Sequence, residues 1–222
     1  MAAPEAPGRV RRFTRPLLLA HLLLAVSFAV MLWTGLCLYF PFLAEVTSRP
    51  VAKDWHLGSA IALGVGLLLL VAASPGSFRR LVREVDRFDD DDVRWLKGGP
   101  GRVLDHHGAP EQGWLNAGQK LFTSLIAGLM AVLAITGTLL WLGERNTALR
   151  FAGTVDVHDL ATIAIVLLVC AHLYLALLHR ATRPALRGAV TGEVDRAWAR
   201  IHHARWLREV EERERGGRLD SP

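Results

Sequence analysis

The sequence predicts an all-α protein, a four-helix bundle that spans a membrane with both termini on the cytoplasmic side. Three observations predict it. Apolar residues gather into four runs of about 18 to 24 residues, enough to cross about 30 Å of hydrocarbon at about 1.5 Å per residue. The runs lack the two-residue alternation of barrel strands, and only helices or closed barrels satisfy backbone polar groups in lipid. The charged residues collect between and beyond the runs. A chain of 222 residues that is 51% hydrophobic and 21% charged, with a mean hydropathy of +0.26, is not disordered or collagen-like, and a plain soluble domain does not suit this distribution.

The runs fall at 17–40, 56–73, 121–142 and 157–178. The first is too long for the 7 to 15 residue apolar region of a signal peptide and has no convincing small-residue cleavage site after it, so it reads as a span. Orientation follows from the cationic residues near the span ends. Arg9, Arg11, Arg12 and Arg15 precede the first span, Arg79, Arg80, Arg83 and Arg87 follow the second, and ten arginines lie after His179. The short loops 41–55 and 143–156 hold two cationic residues each. The expected division is a cytoplasmic arm at 1–15, a membrane domain at 16–179 with a cytoplasmic loop at 74–120, and a cytoplasmic tail at 180–222. The net charge of +5 is accounted for by this bias and by anionic lipid, and gives no sign of a nucleic-acid partner. The acidic run Asp89-Asp90-Asp91-Asp92 reads as a solvated turn or a helix start. No internal repeat is apparent.

Cys37 and Cys170 each lie within an apolar run, which indicates packing and offers neither a disulfide framework nor zinc spacing. No Cys-x-x-Cys-His is present, so a c-type haem is excluded and a b-type haem is compatible.

Of nine histidines, His21, His56, His158 and His172 fall in or at the ends of spans, where an ionisable ring is a functional hypothesis by default. His158 and His172 are fourteen residues apart on one helix, within about 40° of a common face and about 21 Å apart along the axis. His56 opens the second span level with His158, and His21 lies early in the first span level with His172. Two depth-matched pairs of neutral imidazoles on different helices suit the iron of two stacked b haems. Taken singly, each could equally be a polar residue hydrogen-bonded within the bundle. Gly58, Ala62 and Gly66 form a small-residue stripe, and Gly35, Gly128 and Gly137 punctuate other spans, as room for a flat cofactor or as ordinary helix packing. His179 is expected to snorkel to the interface. His106 and His107 are expected to be solvated in the loop, and His202 and His203 to lie on the surface.

Before the third span stands Trp114-Leu115-Asn116-Ala117-Gly118-Gln119-Lys120, level with the inner histidine pair. Asn116, the Gly118 backbone and Gln119 could supply donors and acceptors to a quinone headgroup. They also read as a helix cap with its first turn, leaving Lys120 at the interface; the two readings are compatible.

These residues resemble the cytochrome b gamma subunit of membrane-bound formate dehydrogenase, within the bacterial di-haem cytochromes b. The resemblance rests on Arg12-Phe13-Thr14 followed by His21 and Thr34-Gly35-Leu36, on Trp55-His56, and on Asn116-Ala117-Gly118-Gln119-Lys120-Leu121. Asp92-Val93-Arg94-Trp95, Gly192-Glu193-Val194, Trp198-Ala199, His202-His203 and Trp206 extend it over roughly residues 9–212. It implies an outer haem b held by His56 and His158, an inner haem b held by His21 and His172, and a menaquinone pocket contacted by Asn116, Gly118 and the neighbourhood of His172, with Gln119 close by. It also implies a multi-pass protein of the bacterial inner membrane. Its partners would be an iron–sulfur beta subunit and a molybdenum- or tungsten-containing alpha subunit that oxidises formate outside the membrane, with no formate active site in this chain. A higher oligomer is compatible with it. Related cytochromes b serve hydrogenases and thiosulfate reductases, and a haem-free anchor or a metal transporter is the alternative from a different class. Pro16 and Leu17-Leu18-Leu19 depart from the family, which commonly carries a Glu-Arg pair there, and the run 89–92 is more acidic than the family leads one to expect.

Overall fold

The structure, a computed structural model, describes residues 8–99, 101 and 108–219; His106 and His107 lie outside them. Among the described residues the spans are helices α1 (Arg15–Tyr39), α2 (Arg49–Ala73), α5 (Ala117–Gly143) and α6 (Thr154–Leu173), the last continued by a π-helical turn over Tyr174–Leu178. Between α2 and α5 lie α3 (Pro75–Asp86) and α4 (Asp90–Lys97). After the last span come α7 (Leu186–Thr191), α8 (Arg196–His202) and α9 (Ala204–Leu219). Strand β1 (Arg9–Arg11) pairs antiparallel with β2 (Glu193–Asp195) in the register Arg9 to Asp195, Val10 to Val194 and Arg11 to Glu193.

Prolines place the helix starts and stops. Pro16 and Pro50 occupy the first turns of α1 and α2, where a missing N–H costs nothing, and Pro41 and Pro75 follow the ends of the same two helices. α2 begins seven residues before the expected run, because Arg49, Lys53 and Asp54 are polar yet fully compatible with a helix. His56 therefore lies two turns inside the helix rather than at its opening. The apolar surface of the spans faces outward: only 6–11% of each span's most apolar window is buried inside the protein. Leu68, Leu69, Leu167 and Leu178 are among the exposed side chains. Outward apolar surface on four long helices is the signature of lipid contact.

By contacts the chain forms two compact units, one of residues 13–81 and 189–192, the other of residues 1–12, 82–188 and 193–222. In the first, α1 and α2 form a hairpin in which a Cβ at Gly66 would come within 2.5 Å of the Leu23 methyl, so this part of the small-residue stripe serves close helix packing. A Cβ at Gly58 or at Gly128 would meet open space. Gly192 of this unit has φ +81°, and a Cβ there would lie 2.6 Å from the Phe13 carbonyl oxygen, while the Phe13 N–H donates to the Gly192 carbonyl at 3.1 Å. Gly192→Val is expected to cost about 1–3 kcal/mol from the left-handed backbone alone and more from the backbone clash, read as a lowered thermal midpoint in detergent.

In the second unit, α5 and α6 form the other hairpin, and a water-facing core gathers beside it. Val10 and Val194 are buried across the β1–β2 pair, and Trp114, Leu115, Trp206 and Leu207 are buried with them. The segment before the first span and the segment after the last are thereby hydrogen-bonded to each other. His202 and His203, expected at the surface, are buried. His202 stacks on Trp198 at 4.5 Å, and His203 Nδ1 hydrogen-bonds the Gly113 carbonyl at 2.8 Å. A basic amphipathic pattern was misleading here, because both rings pack against Trp198 and His203 gains the Gly113 carbonyl.

Candidate functional site

Two span histidines are held in the same way, one in each hairpin. Thr34 Oγ1 on α1 donates back to the Val30 carbonyl at 2.7 Å and lies 3.0 Å from Nδ1 of His56 on α2. Thr136 Oγ1 on α5 donates to the Val132 carbonyl at 2.8 Å and lies 2.8 Å from Nδ1 of His158 on α6. A hydroxyl has one hydrogen, and we assign it to the carbonyl one turn back. The imidazole must then supply the hydrogen of the second bond. Both rings are thus Nδ1–H tautomers with their lone pair on Nε2. The glycine after each threonine lies beside the ring: a Cβ at Gly35 would lie 3.5 Å from His56 Cε1, and one at Gly137 3.4 Å from His158 Cε1, both ordinary van der Waals contacts. Each threonine precedes its histidine by 22 residues, and the second set follows the first by 102 residues. Thr34 stands in a family-like string, but neither threonine was expected as a partner of histidine, although a Thr-Gly followed at the same interval by histidine occurs twice in the sequence.

The other two histidines are placed differently. His21 lies in the second turn of α1, and His172 near the end of α6, where its ring stacks on Phe122 of α5 with centroids 5.1 Å apart. The π-helical turn begins two residues later. His179 closes it, with Nδ1 3.0 Å from Thr182 Oγ1, and is half-buried rather than extended into solvent. Cys37 is buried, as packing requires, and Cys170 is exposed on the outward face of α6.

The string before α5 is organised by its own polar groups. Asn116 caps the helix: its Oδ1 accepts from the Gln119 N–H at 2.8 Å, and Gln119 Oε1 accepts from the Asn116 N–H at 3.1 Å. Arg12 crosses from the N-terminal arm, donating to the Trp114 carbonyl at 2.7 Å and to Gln119 Oε1 at 2.9 Å. The indole of Trp114 returns a bond to the Arg12 carbonyl at 2.9 Å. Burial lowers the Arg12 pKa to about 9 against the opposing pull of the Glu84 carboxylate. Gly118 is required by packing, since a Cβ would lie 2.8 Å from the buried Trp95 ring.

Lys120, expected at the interface, is buried, and the acidic run explains it. Its ammonium donates to Asp92 Oδ2 at 2.7 Å and to the Arg87 carbonyl at 2.9 Å, with both side chains of the ion pair almost fully enclosed. Asp89 and Asp92 form a capping box at the start of α4, where Asp90 and Asp91 in the first turn also favour the helix dipole. Arg205 of α9 pairs with Asp89 at 2.7 Å and with Asp91 at 3.5 Å. Burial raises the Asp89 pKa, but the Asp92 backbone bond and Arg205 outweigh it and hold the group below the ordinary carboxylate range. The run is therefore a helix start that supplies counter-charges, and not a solvated turn.

The profile of the family described as prokaryotic cytochrome b561 matches residues 12–192. The formate dehydrogenase cytochrome b556 subunit of Haemophilus influenzae is 26% identical over 212 residues, covering 90% of this chain and 83% of that protein. The nitrate-inducible formate dehydrogenase cytochrome b556(Fdn) subunit of Escherichia coli is 26% identical over 208 residues, covering 87% and 88%. The formate dehydrogenase cytochrome b556(fdo) subunit of the same organism is 27% identical over 207 residues, covering 90% and 92%.

Such a family implies haem b, and the donor set fits it. An imidazole fixed as the Nδ1–H tautomer by a hydrogen-bond acceptor is the form in which histidine presents Nε2 to a metal, and the threonine oxygens at Nδ1 of His56 and His158 suit that form within the spans. The profile covers most of the chain, the four apolar helices are those of a multi-pass membrane protein, and the chain belongs to the prokaryotic cytochrome b561 family.

Proposed function

We propose that this protein is the cytochrome b subunit of a bacterial formate dehydrogenase, carrying electrons through two b haems to membrane quinone. The observation that carries the reading is the pair of threonine-held imidazoles, because a haem ligand needs a set tautomer and a set ring plane. In this reading His56 and His158 hold one haem, and His21 and His172 hold the second. The pairing rests on their matched depths in the sequence. Each haem would supply a one-electron iron couple. The 26–27% identity to formate dehydrogenase cytochrome subunits over most of both chains supports this assignment over a hydrogenase or thiosulfate reductase partner.

The chain's own residues then have the following tasks. The apolar spans hold the four histidines out of water. Phe122, flat against His172, restricts the rotation of that ring. The capping box uses the amide oxygens of Asn116 and Gln119. Their amide nitrogens, with the Gly118 backbone, are the donors proposed for a menaquinone headgroup. Arg12, bonded to Gln119 Oε1, keeps that amide from rotating. On the cationic flanks, the arm 1–15, the loop 74–120 and the tail 180–222 are proposed to lie in the cytoplasm, the side from which quinone would take up protons. Iron–sulfur and molybdenum or tungsten subunits are the proposed partners on the outer side.

A visible spectrum of the purified, dithionite-reduced protein with pyridine haemochrome quantitation tests this. About two b haems per chain is the expected result, together with copurification of an iron–sulfur subunit and a formate-oxidising subunit. A folded, membrane-inserted chain with no haem would overturn the reading. Two haems with a hydrogenase or thiosulfate reductase as the copurifying partner would replace only the upstream substrate.

A further inference from the structure

We propose that Thr34 and Thr136 are positioning residues that set the electron-donor strength of His56 and His158, one threonine for each hairpin. The inference rests on the haem-ligand reading above and adds to it what tunes the ligands.

Each threonine hydroxyl is doubly committed. Its hydrogen points along its own helix to the carbonyl four residues back, with a second carbonyl three residues back at 3.2 Å for Thr34 and 3.3 Å for Thr136. With the hydrogen so assigned, only its oxygen is left for the histidine on the neighbouring helix, and the bond runs from Nδ1–H to Oγ1. A solvent-exposed hydroxyl could rotate and reverse that bond, but these two residues are buried.

An imidazole that donates from Nδ1 gains electron density at Nε2, and a more electron-rich ligand stabilises oxidised over reduced iron. Because the same bond recurs in both hairpins, the two imidazoles are tuned alike. A threonine that served only helix packing would need no ring nitrogen within hydrogen-bond distance on the neighbouring helix.

The test uses the full chain purified from membranes, as Thr34→Val, Thr136→Val, the double valine variant, and the matching serine variants. Valine keeps the shape and removes the acceptor, while serine keeps the hydroxyl. Readouts are haem per chain, an optical redox titration and the low-spin ferric electron paramagnetic resonance signal. Each valine variant is expected to shift one haem couple toward the reduced form by up to about tenfold, about 59 mV for one electron. The double variant should shift the same couple further, and serine should restore it. Folded valine variants that lose that haem while serine variants keep it would also support the proposal. Unchanged couples and resonance signals in valine variants that retain haem would overturn it, as would serine variants that behave like valine. His56→Ala and His158→Ala, measured alongside, separate the two failures: if they keep full haem content and an unaltered spectrum, the ligand reading itself falls.

Discussion

Replacing His56 by alanine is expected to lower the b-haem content from about two per chain to about one, and His172→Ala to do the same for the other haem. The pattern of double variants carries the stronger information. If His56 and His158 hold one haem, removing both should cost no more haem than removing either, because the second substitution acts on a site already empty. Removing His56 together with His172 should leave none. His202→Ala and His203→Ala are the controls, since these buried rings contact Trp198 and the Gly113 carbonyl at the water-facing end of the molecule. They should lower stability while leaving haem per folded chain unchanged. Quantitative pyridine haemochrome spectra on each variant decide between this pairing and any other.

Asp92→Asn is expected to be the most damaging single change outside the spans. The Asp92 side chain is fully buried and its partner Lys120 is nearly so, so losing the carboxylate charge leaves an enclosed ammonium against a neutral amide oxygen, the Arg87 carbonyl and the Glu84 carboxylate at 3.9 Å. Breaking a buried ion pair from one side costs about 3–5 kcal/mol. For a chain of this length that is a fall of roughly 6–20 °C in thermal midpoint. Asparagine keeps an oxygen for the Asp89 N–H, so the capping box survives and the loss is that of charge. Adding Lys120→Met should recover most of the midpoint, because an apolar pair of similar volume replaces a buried ion pair with little penalty. A fall smaller than about 2 °C, or no recovery in the double variant, would mean that the pair is solvated in the membrane-bound protein.

The family-like string from Asn116 to Leu121 was legible in the sequence as either a cap or a quinone site. The structure supplies the cap in full, with the box between Asn116 and Gln119 and the Trp95 ring that forbids a side chain at Gly118. The acidic run was legible only as composition. Nothing local in Asp89-Asp90-Asp91-Asp92 says that the last carboxylate is buried, because the reason is a lysine 28 residues further along the chain.

By itself the sequence determined the four spans, their approximate ends and the four span histidines. Span formation depends on the summed transfer free energy of consecutive residues and on internally satisfied backbone bonds, and both are local quantities. The tertiary structure alone decided which polar groups meet. Arg12 reaches the Trp114 carbonyl across 102 residues, His203 reaches Gly113 across 90, and Thr34 and Thr136 each reach a histidine on the next helix. A buried polar side chain is tolerated only with a partner of matching geometry, and when that partner comes from another element, no window of sequence contains both halves of the bond.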